Sequence, residues 1–170
     1  ECERSDAQYE LSEKQLIEHL GKDSREALGV RRERGILMAE MGRFVEAEQA
    51  ARESIERLAA QFGEEDAETV RAKLELPRAL IEQGKMAEAI EMFETTIPIA
   101  ERVIGTSDSA VLAARHNLGS SLRDFGRLAD SERILREVLA DRRRVQGTEH
   151  PETMYSLNSL AMTLARAGNM

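Results

Sequence analysis

The chain has 170 residues and a formal net charge of −8 at pH 7, with no tryptophan, 4% aromatic residues and 33% charged residues. So few aromatic side chains disfavour a large β-sandwich or barrel core, whereas the many charges favour long solvated helices. The acidic balance argues against general nucleic-acid binding, and no run of about 18 apolar residues predicts a membrane span. Because Cys2 is the only cysteine, a disulfide framework and a cysteine zinc site are excluded, and a cytoplasmic location is expected.

Eight of the eleven glycines stand 21 residues apart along the whole chain: Gly21, Gly42, Gly63, Gly84, Gly105, Gly126, Gly147 and Gly168. A fixed period indicates a repeat architecture. The glycines alternate in context, because every second one opens a short polar stretch whose fourth position is Ser24, Asp66, Asp108 or His150. The repeating unit is therefore 42 residues long and contains two helices, which we name A and B.

Stop and cap signals predict eight helices in chain order. A B helix at about 5–20 is followed by A and B helices at about 25–41 and 44–62, 67–83 and 86–104, and 109–125 and 128–146, and a last A helix covers about 151–167. Ser24, Asp66 and Asp108 are good N-caps, and His150 is interpreted as a residue of the same cap position. Pro77 and Pro98 fall inside predicted helices, so we expect a kink at each.

These elements predict a single repeat array over residues 1–170. It consists of the B helix of a preceding repeat (1–20), repeat 1 (21–62), repeat 2 (63–104), repeat 3 (105–146) and the A helix of a truncated repeat 4 (147–170). The chain opens without an initiator methionine and is interpreted as a piece of a longer protein.

Small residues at two fixed places distinguish this repeat from a HEAT-like pair of similar length. Seven residues before the glycine inside each repeat stands Gly35, Pro77, Gly119 or Ala161, and five residues after it stands Ala47, Ala89 or Ser131. Together with Leu118-Gly119 and Glu46-Ala47, this pattern resembles the tetratricopeptide repeat. The 42-residue period and the segments Gly147-Thr148-Glu149-His150-Pro151 and His116-Asn117-Leu118-Gly119 are similar to the kinesin light chain type.

The resemblance implies an all-α, right-handed superhelical solenoid of antiparallel helix pairs. It also implies a protein–protein interaction scaffold that binds an extended peptide or a partner protein in the groove formed by the A helices. The groove positions that it assigns are Arg32, Arg71, Leu74, Arg78, Ile81, His116, Ser120, Arg123, Tyr155, Asn158 and Met162, with Asn117 beside them. Asparagine residues in this row hold a peptide backbone in the kinesin light chain type, because an amide donates and accepts together.

Four arginines and no carboxylate stand in this row, so a basic groove for a partner with acidic residues is one hypothesis. The open alternative is that the arginines are solvated or paired with nearby carboxylates, namely Glu33, Glu40, Glu75, Glu82 and Asp124.

A second hypothesis is a self-associating structural or regulatory repeat arm of a larger multidomain signalling protein. Apolar residues on the first and last helices would leave surface that end-to-end stacking of copies buries: Tyr9, Leu16 and Ile17, and Leu157, Leu160 and Leu164. No pattern predicts an enzyme, a metal site or a cofactor. The three histidines, His19, His116 and His150, fall in different units without metal-ligand spacing, and the glycines form no phosphate-binding loop.

Overall fold

The computed structural model describes residues 2–168, and the side chains of residues 7–168. Eight α-helices and no strand occur in this part of the chain: α1 (Cys2–Leu20), α2 (Arg25–Glu40), α3 (Phe44–Phe62), α4 (Ala67–Glu82), α5 (Met86–Val103), α6 (Ser109–Phe125), α7 (Leu128–Gln146) and α8 (Pro151–Ala167). They confirm the eight predicted elements, and the largest difference is at α1, which begins at Cys2. Glu1, Asn169 and Met170, which the predicted array includes, lie outside the described residues.

The chain divides into two compact units, Glu1–Lys85 with α1 to α4 and Met86–Met170 with α5 to α8. The division falls between the A and B helices of repeat 2. In each unit every helix packs against the next one, and the two A helices also touch, α2 with α4 and α6 with α8. Each unit therefore has the neighbouring A helices from which a groove is built. The single continuous array and its right-handed superhelix stay predictions.

The periodic glycines form two kinds of helix stop, as their alternation predicts. Inside repeat 3, Gly126 adopts a left-handed conformation (φ 93°, ψ 1°), and the following N–H of Arg127 donates to Leu122 O at 2.8 Å. This six-residue closure is a Schellman motif. Between repeats, Gly63 has φ 100° and ψ 159°, and its carbonyl accepts from the N–H of Asp66 at 3.3 Å. One kind of stop reverses the chain within a repeat, whereas the other leads into the next N-cap.

All four predicted cap residues accept a backbone hydrogen bond at the start of an A helix. Asp108 accepts from Ala110 N at 2.8 Å, and the Nδ1 atom of His150 accepts from Glu152 N at 3.2 Å. The other two caps are Ser24 and Asp66. His150 therefore acts as the N-cap of α8, as the sequence predicts.

Two carboxylates join repeat 1 to repeat 2. Asp66 accepts two bonds from the Arg25 guanidinium at 3.0 and 2.8 Å, and Arg25 holds the pKa of that carboxyl below its usual range. Glu48 on α3 accepts from Lys85 Nζ at 2.6 Å and Gln83 Nε2 at 2.8 Å, just after α4 ends. The bond from Lys85 is the largest cause that lowers the pKa of Glu48 to about 2.

Neither helix-interior proline interrupts its helix. Pro77 is buried within α4 and Pro98 is exposed within α5, and both helices continue on either side. Each proline lacks the N–H that would bond to the carbonyl four residues earlier, so one backbone acceptor is freed in each helix. The expected kinks stay predictions.

Close approach of the A and B helices is clearest at Gly119. A Cβ added there would stand 2.7 Å from Leu135 Cγ on α7, and Leu135 is fully buried. At the equivalent Gly35, an added Cβ would meet Ala50 Cβ at 3.7 Å, which is an ordinary contact. The small-residue position of the sequence pattern is thus required by packing in repeat 3.

We predict that Gly119→Ala destabilises the protein and that Gly29→Ala does not. At Gly119 the new methyl must displace Leu135, at a cost of about 1–3 kcal/mol that exceeds the gain in helix propensity. An added Cβ at Gly29 meets nothing within 4 Å, so the matched variant should gain about 0.5–1 kcal/mol. Urea unfolding followed by circular dichroism measures both, and a Gly119→Ala variant as stable as wild type would contradict the packing argument.

Candidate functional site

Three of the four groove arginines have ion-pair partners. Arg32 donates to Glu75 and, at 2.7 Å, to Glu33. Arg71 lies 3.7 Å from a Glu68 carboxylate oxygen. A carboxylate therefore stands directly beside the predicted basic row of the first unit, and it occupies the guanidinium of Arg32.

Arg123 is the paired arginine of the second unit. Its Nε and Nη atoms donate to the neighbouring Asp124 at 2.9 and 3.1 Å, and only 12% of its side chain is exposed. Arg78, on α4, is exposed and forms no ion pair with any side chain in the described part of the chain. Of the two interpretations that the sequence left open, pairing with nearby carboxylates thus describes Arg32, Arg71 and Arg123.

The carboxyl group of Glu75 is poorly solvated, and it accepts a hydrogen bond from Arg32. Burial raises the pKa of Glu75 to about 7, although the positive charge of Arg32 and its hydrogen bond act in the opposite direction. The contact with Arg32 offsets part of the cost of burying a carboxylate, so Arg32 is engaged in the fold and is not free for an acidic ligand.

Two predicted groove residues are buried and cannot present their side chains to a partner. Leu74 is 5% exposed and His116 is 2% exposed. Both stand on A helices, and at this position the side chain packs into the protein instead of pointing to solvent. Ile81, the other apolar residue assigned to α4, is half-buried.

His116 lies at the centre of a hydrogen-bonded cluster between α6 and α8. Its Nδ1 atom is 3.3 Å from Ser156 Oγ, and its Nε2 atom is 3.3 Å from Ser159 Oγ. The Tyr155 ring lies against it with centroids 4.7 Å apart at 32°. Burial is the main cause that lowers the pKa of His116 to about 4, and the charges of Arg142 and Arg123 act in the same direction. The ring is therefore neutral at pH 7.

Arg142 on α7 completes this cluster, and it is almost fully buried. Its Nη1 atom donates to Ser156 Oγ at 2.8 Å and to the carbonyl of Glu152 at 2.7 Å, and its Nη2 atom lies 2.9 Å from the Glu152 carboxylate. Burial lowers the pKa of Arg142, and Glu152 opposes this effect. These contacts place a charged side chain in the core of the second unit.

The residues equivalent to Arg142 and Ser156, 84 positions earlier, are Leu58 and Ala72. Those two pack with Leu28 in an apolar cluster of the first unit. Sequence reasoning missed Arg142 as a core residue because arginine is ordinarily solvated. The paired change from Leu and Ala to Arg and Ser at equivalent positions was the signal that could have found it.

The accessible residues of the predicted groove in the second unit stand on two neighbouring helices. Tyr155, Asn158 and Met162 are exposed on α8, at the spacing i, i+3, i+7. Asn117 and Ser120 are half-buried on α6, which packs against α8. The Asn158 amide nitrogen is 3.9 Å from Met162 Sδ, a weak contact that leaves the amide accessible. We name these five residues the amide surface.

The described side chains contain no group of three or more histidine, cysteine, aspartate or glutamate residues placed to hold a metal ion. None of the described helices combines the length and the apolar character needed to cross a bilayer.

Comparison with known proteins identifies the repeat. Two family models, both described as tetratricopeptide repeat, match residues 26–102 and 111–152, which together make up more than two-thirds of the chain. The chain belongs to the tetratricopeptide repeat family. A search of curated protein sequences finds no match for it.

Solved structures agree with this tetratricopeptide assignment. Putative kinesin light chain TPR-like repeats from Podosopora anserina, in two structures, have TM-scores of 0.79 and 0.77 at 20% identity, covering 98% of this chain and 79% of that one. BtubC (BKLC) from P. vanneervenii has a TM-score of 0.85 at 17% identity, covering 99% of this chain and 67% of that one. At these identities the likeness shows the fold alone. These helix pairs therefore share the fold of the kinesin light chain TPR-like repeats in those structures.

We predict that stability depends on pH through His116. Its pKa is about 4 in the folded protein and about 6.5 in an unfolded chain. Above about pH 6.5 the ring is neutral in both states, and the contribution of His116 to the free energy of unfolding is fully present. As the pH falls toward 4 this contribution is lost, because the unfolded state takes up the proton first. Between pH 7 and pH 5 the expected loss from this residue is about 2 kcal/mol.

Urea unfolding at pH 7, 6 and 5 tests this, with His116→Leu as the variant because Leu74 is the equivalent residue of repeat 2. The variant should lose less stability on acidification than wild type. The same change at the exposed His19 serves as the control. Equal losses in wild type and His116→Leu would show that the buried ring does not determine the acid response.

Proposed function

We propose that this tetratricopeptide repeat chain is a protein-interaction scaffold whose amide surface holds an extended peptide segment of a partner protein. The observation that carries the proposal is the exposure of Asn158 between Tyr155 and Met162, next to the α6 side chains. Tetratricopeptide repeats are modules of protein interaction. The proposal adds where on this chain the partner binds and which side chains bind it.

The polar residues of the amide surface suit a peptide backbone. An extended chain presents an N–H and a C=O at every residue, and both must find partners when they leave water. Asn117 and Asn158 can each donate and accept, and the hydroxyl of Ser120 can do either. Such side chains recognise backbone without requiring a particular sequence, which fits a scaffold that holds an extended segment.

The apolar residues of the amide surface supply the anchor. Tyr155 is 58% exposed and Met162 is 51% exposed, so both offer apolar area to a partner. The Tyr155 ring rests on His116, which Ser156 and Ser159 hold from both ring nitrogens. A ring supported in this way loses little conformational entropy on binding, so it is a good anchor.

The electrostatic preference of the partner rests on Arg78. The other three groove arginines are engaged with carboxylates of the protein, whereas Arg78 has no such partner among the described residues. We therefore propose one acidic contact on the first unit, in place of a generally basic groove. The cytoplasmic location, the absence of enzymatic activity and the role as an arm of a signalling protein stay predictions.

Tyr155→Ala and Asn158→Ala should each weaken binding of peptides selected from a random 12-residue display library. Loss of the anchor or of the backbone contact should reduce affinity by about tenfold or more, as expected for hot-spot residues. Fluorescence anisotropy with labelled peptides measures the dissociation constants. Val45→Ala, at an exposed residue of α3, is the control. If every selected peptide binds both variants as tightly as wild type, the proposed surface is wrong.

Arg78→Glu should weaken the binding of those library peptides that contain Asp or Glu and still bind the Tyr155→Ala variant, and it should leave the binding of peptides without acidic residues unchanged. The reason is that reversal turns a favourable charge contact into a repulsive one, and the effect should shrink as salt is raised. Arg133→Glu makes the same charge change at an exposed residue of α7. Equal effects of the two variants would indicate that net charge alone is responsible.

A further inference from the structure

The junction between α1 and α2 differs from the other junctions between a B helix and the A helix that follows it. At the last junction, Leu139 of α7 and Leu160 of α8 pack in one core cluster. The residues at the same positions, in steps of 42, are Glu13 of α1 and Arg34 of α2. An ion pair therefore stands at the first junction where the last junction has two leucines.

The two intermediate junctions have the apolar form as well. Helices α3 and α4 contribute Ile55 and Leu76, and helices α5 and α6 contribute Ile97 and Leu118. Leu76, Ile97 and Leu118 are buried, and Ile55 is half-buried. The exchange to charged residues is therefore confined to the first junction, and it occurs on both of its helices.

The charges of the first junction are largely withdrawn from water and paired with each other. Glu13 is 7% exposed, and its carboxylate accepts a hydrogen bond from Arg31 Nε at 2.6 Å. The other oxygen of Glu13 lies 3.7 Å from Arg34 Nη1, and Arg34 Nη2 lies 3.3 Å from Glu10. Burial removes these groups from water at a cost that their mutual attraction only offsets, so the cluster contributes less to stability than well-packed leucines do.

Helix α1 has few apolar contacts that could compensate. Glu13 is the only buried residue among the described side chains of α1, residues 7–20, whereas Leu16 and Ile17 are half-buried. The B helix α7, by contrast, buries three aliphatic side chains: Leu135, Val138 and Leu139. Elements held by few apolar contacts open locally at the lowest free energy. The attachment of α1 to α2 therefore depends on charge more than on apolar burial.

Solvent and salt can reach this cluster. A cavity of about 250 Å³ borders it, and Glu13, Arg31, Arg34 and Glu53 are among the residues that line the cavity. Glu53 shares the Arg31 guanidinium with Glu13, and half of its side chain is exposed. Salt screens charges that solvent reaches, whereas a contact between two leucines has no charge to screen. The first junction should therefore weaken as ionic strength rises.

We propose that the junction between α1 and α2 is a salt-sensitive hinge, at which α1 separates from α2 while α2, α3 and α4 stay folded. The hinge follows from the presence of Glu13 and Arg34 at positions that are aliphatic in the other three junctions. It lets ionic strength set how firmly this B helix is joined to the next repeat. None of its residues belongs to the amide surface, so the proposal does not depend on peptide binding.

Hydrogen–deuterium exchange of the whole chain, followed by mass spectrometry, tests the hinge. Exchange of the α1 amides should become faster by about threefold or more between about 50 mM and about 500 mM NaCl, because screening favours the open state. Helix α8, the other outermost helix of the described chain, has the aliphatic junction and serves as the internal reference. Its exchange should not change with salt.

The variant Glu13→Leu/Arg34→Leu rebuilds the aliphatic pair of the other junctions. It should slow the exchange of α1 by about tenfold and remove the dependence on salt, because apolar burial replaces the ion pair. Glu132→Leu/Arg136→Leu removes the same two kinds of charge from an ion pair within α7 and is the matched control. The control should leave the exchange of α1 as it is in wild type.

The proposal is overturned if α1 and α8 of wild type respond equally to salt, a result that requires no variant. It is also overturned if the leucine variant, shown to be helical by circular dichroism, exchanges at α1 as wild type or the control does. Peptide affinity should be the same in the leucine variant and in wild type. Failure of the hinge can therefore be told from failure of the amide surface.

Discussion

Every connection between helices passes through a glycine at positive φ, a backbone conformation that side chains with a Cβ rarely adopt. Because these glycines recur every 21 residues, successive helices have nearly the same length, and residues 42 apart occupy equivalent places. The A–B contacts, the caps and the contacts between repeats all rely on this spacing. An insertion or a deletion at one of these glycines would shift the 42-residue equivalence of every residue that follows it along the chain.

The local structure was predictable because its signals are local. The cap role of Asp108 needs only a short polar side chain before a helix, and the stop at Gly126 needs only the missing Cβ. Burial was harder to predict. Leu74 and His116 stand at positions that the family assigns to the groove, yet neighbouring helices cover them. Whether a helical residue is covered depends on side chains that are distant in sequence, which a repeat pattern does not specify.

Whether an arginine of the A helices is free to bind a ligand also depended more on its neighbours in space than on its position in the repeat. The A helices carry a row of arginines in an acidic chain, and net charge alone would leave those arginines available for a ligand. Glu75 and Asp124 stand close enough to pair with Arg32 and Arg123 instead. An ion pair of this kind contributes little to stability when it is exposed, but it removes a cation from the binding surface. In the proposed mode of binding, recognition therefore rests on neutral amide, hydroxyl, aromatic and thioether groups.

The buried Arg142 has a consequence for how such an array can grow. Repeats of equal length look interchangeable, and duplication of one unit is the simplest way to lengthen a solenoid. A second copy of repeat 3 placed directly after the first would set Arg142 against Ala110 and Ala114 in place of Glu152 and Ser156. The guanidinium would then be buried without the Glu152 carboxylate and the Ser156 hydroxyl, at a cost of several kcal/mol. Lengthening by copying this unit is therefore penalised unless the glutamate and the serine arise with it, so the junction preserves the order of its repeats.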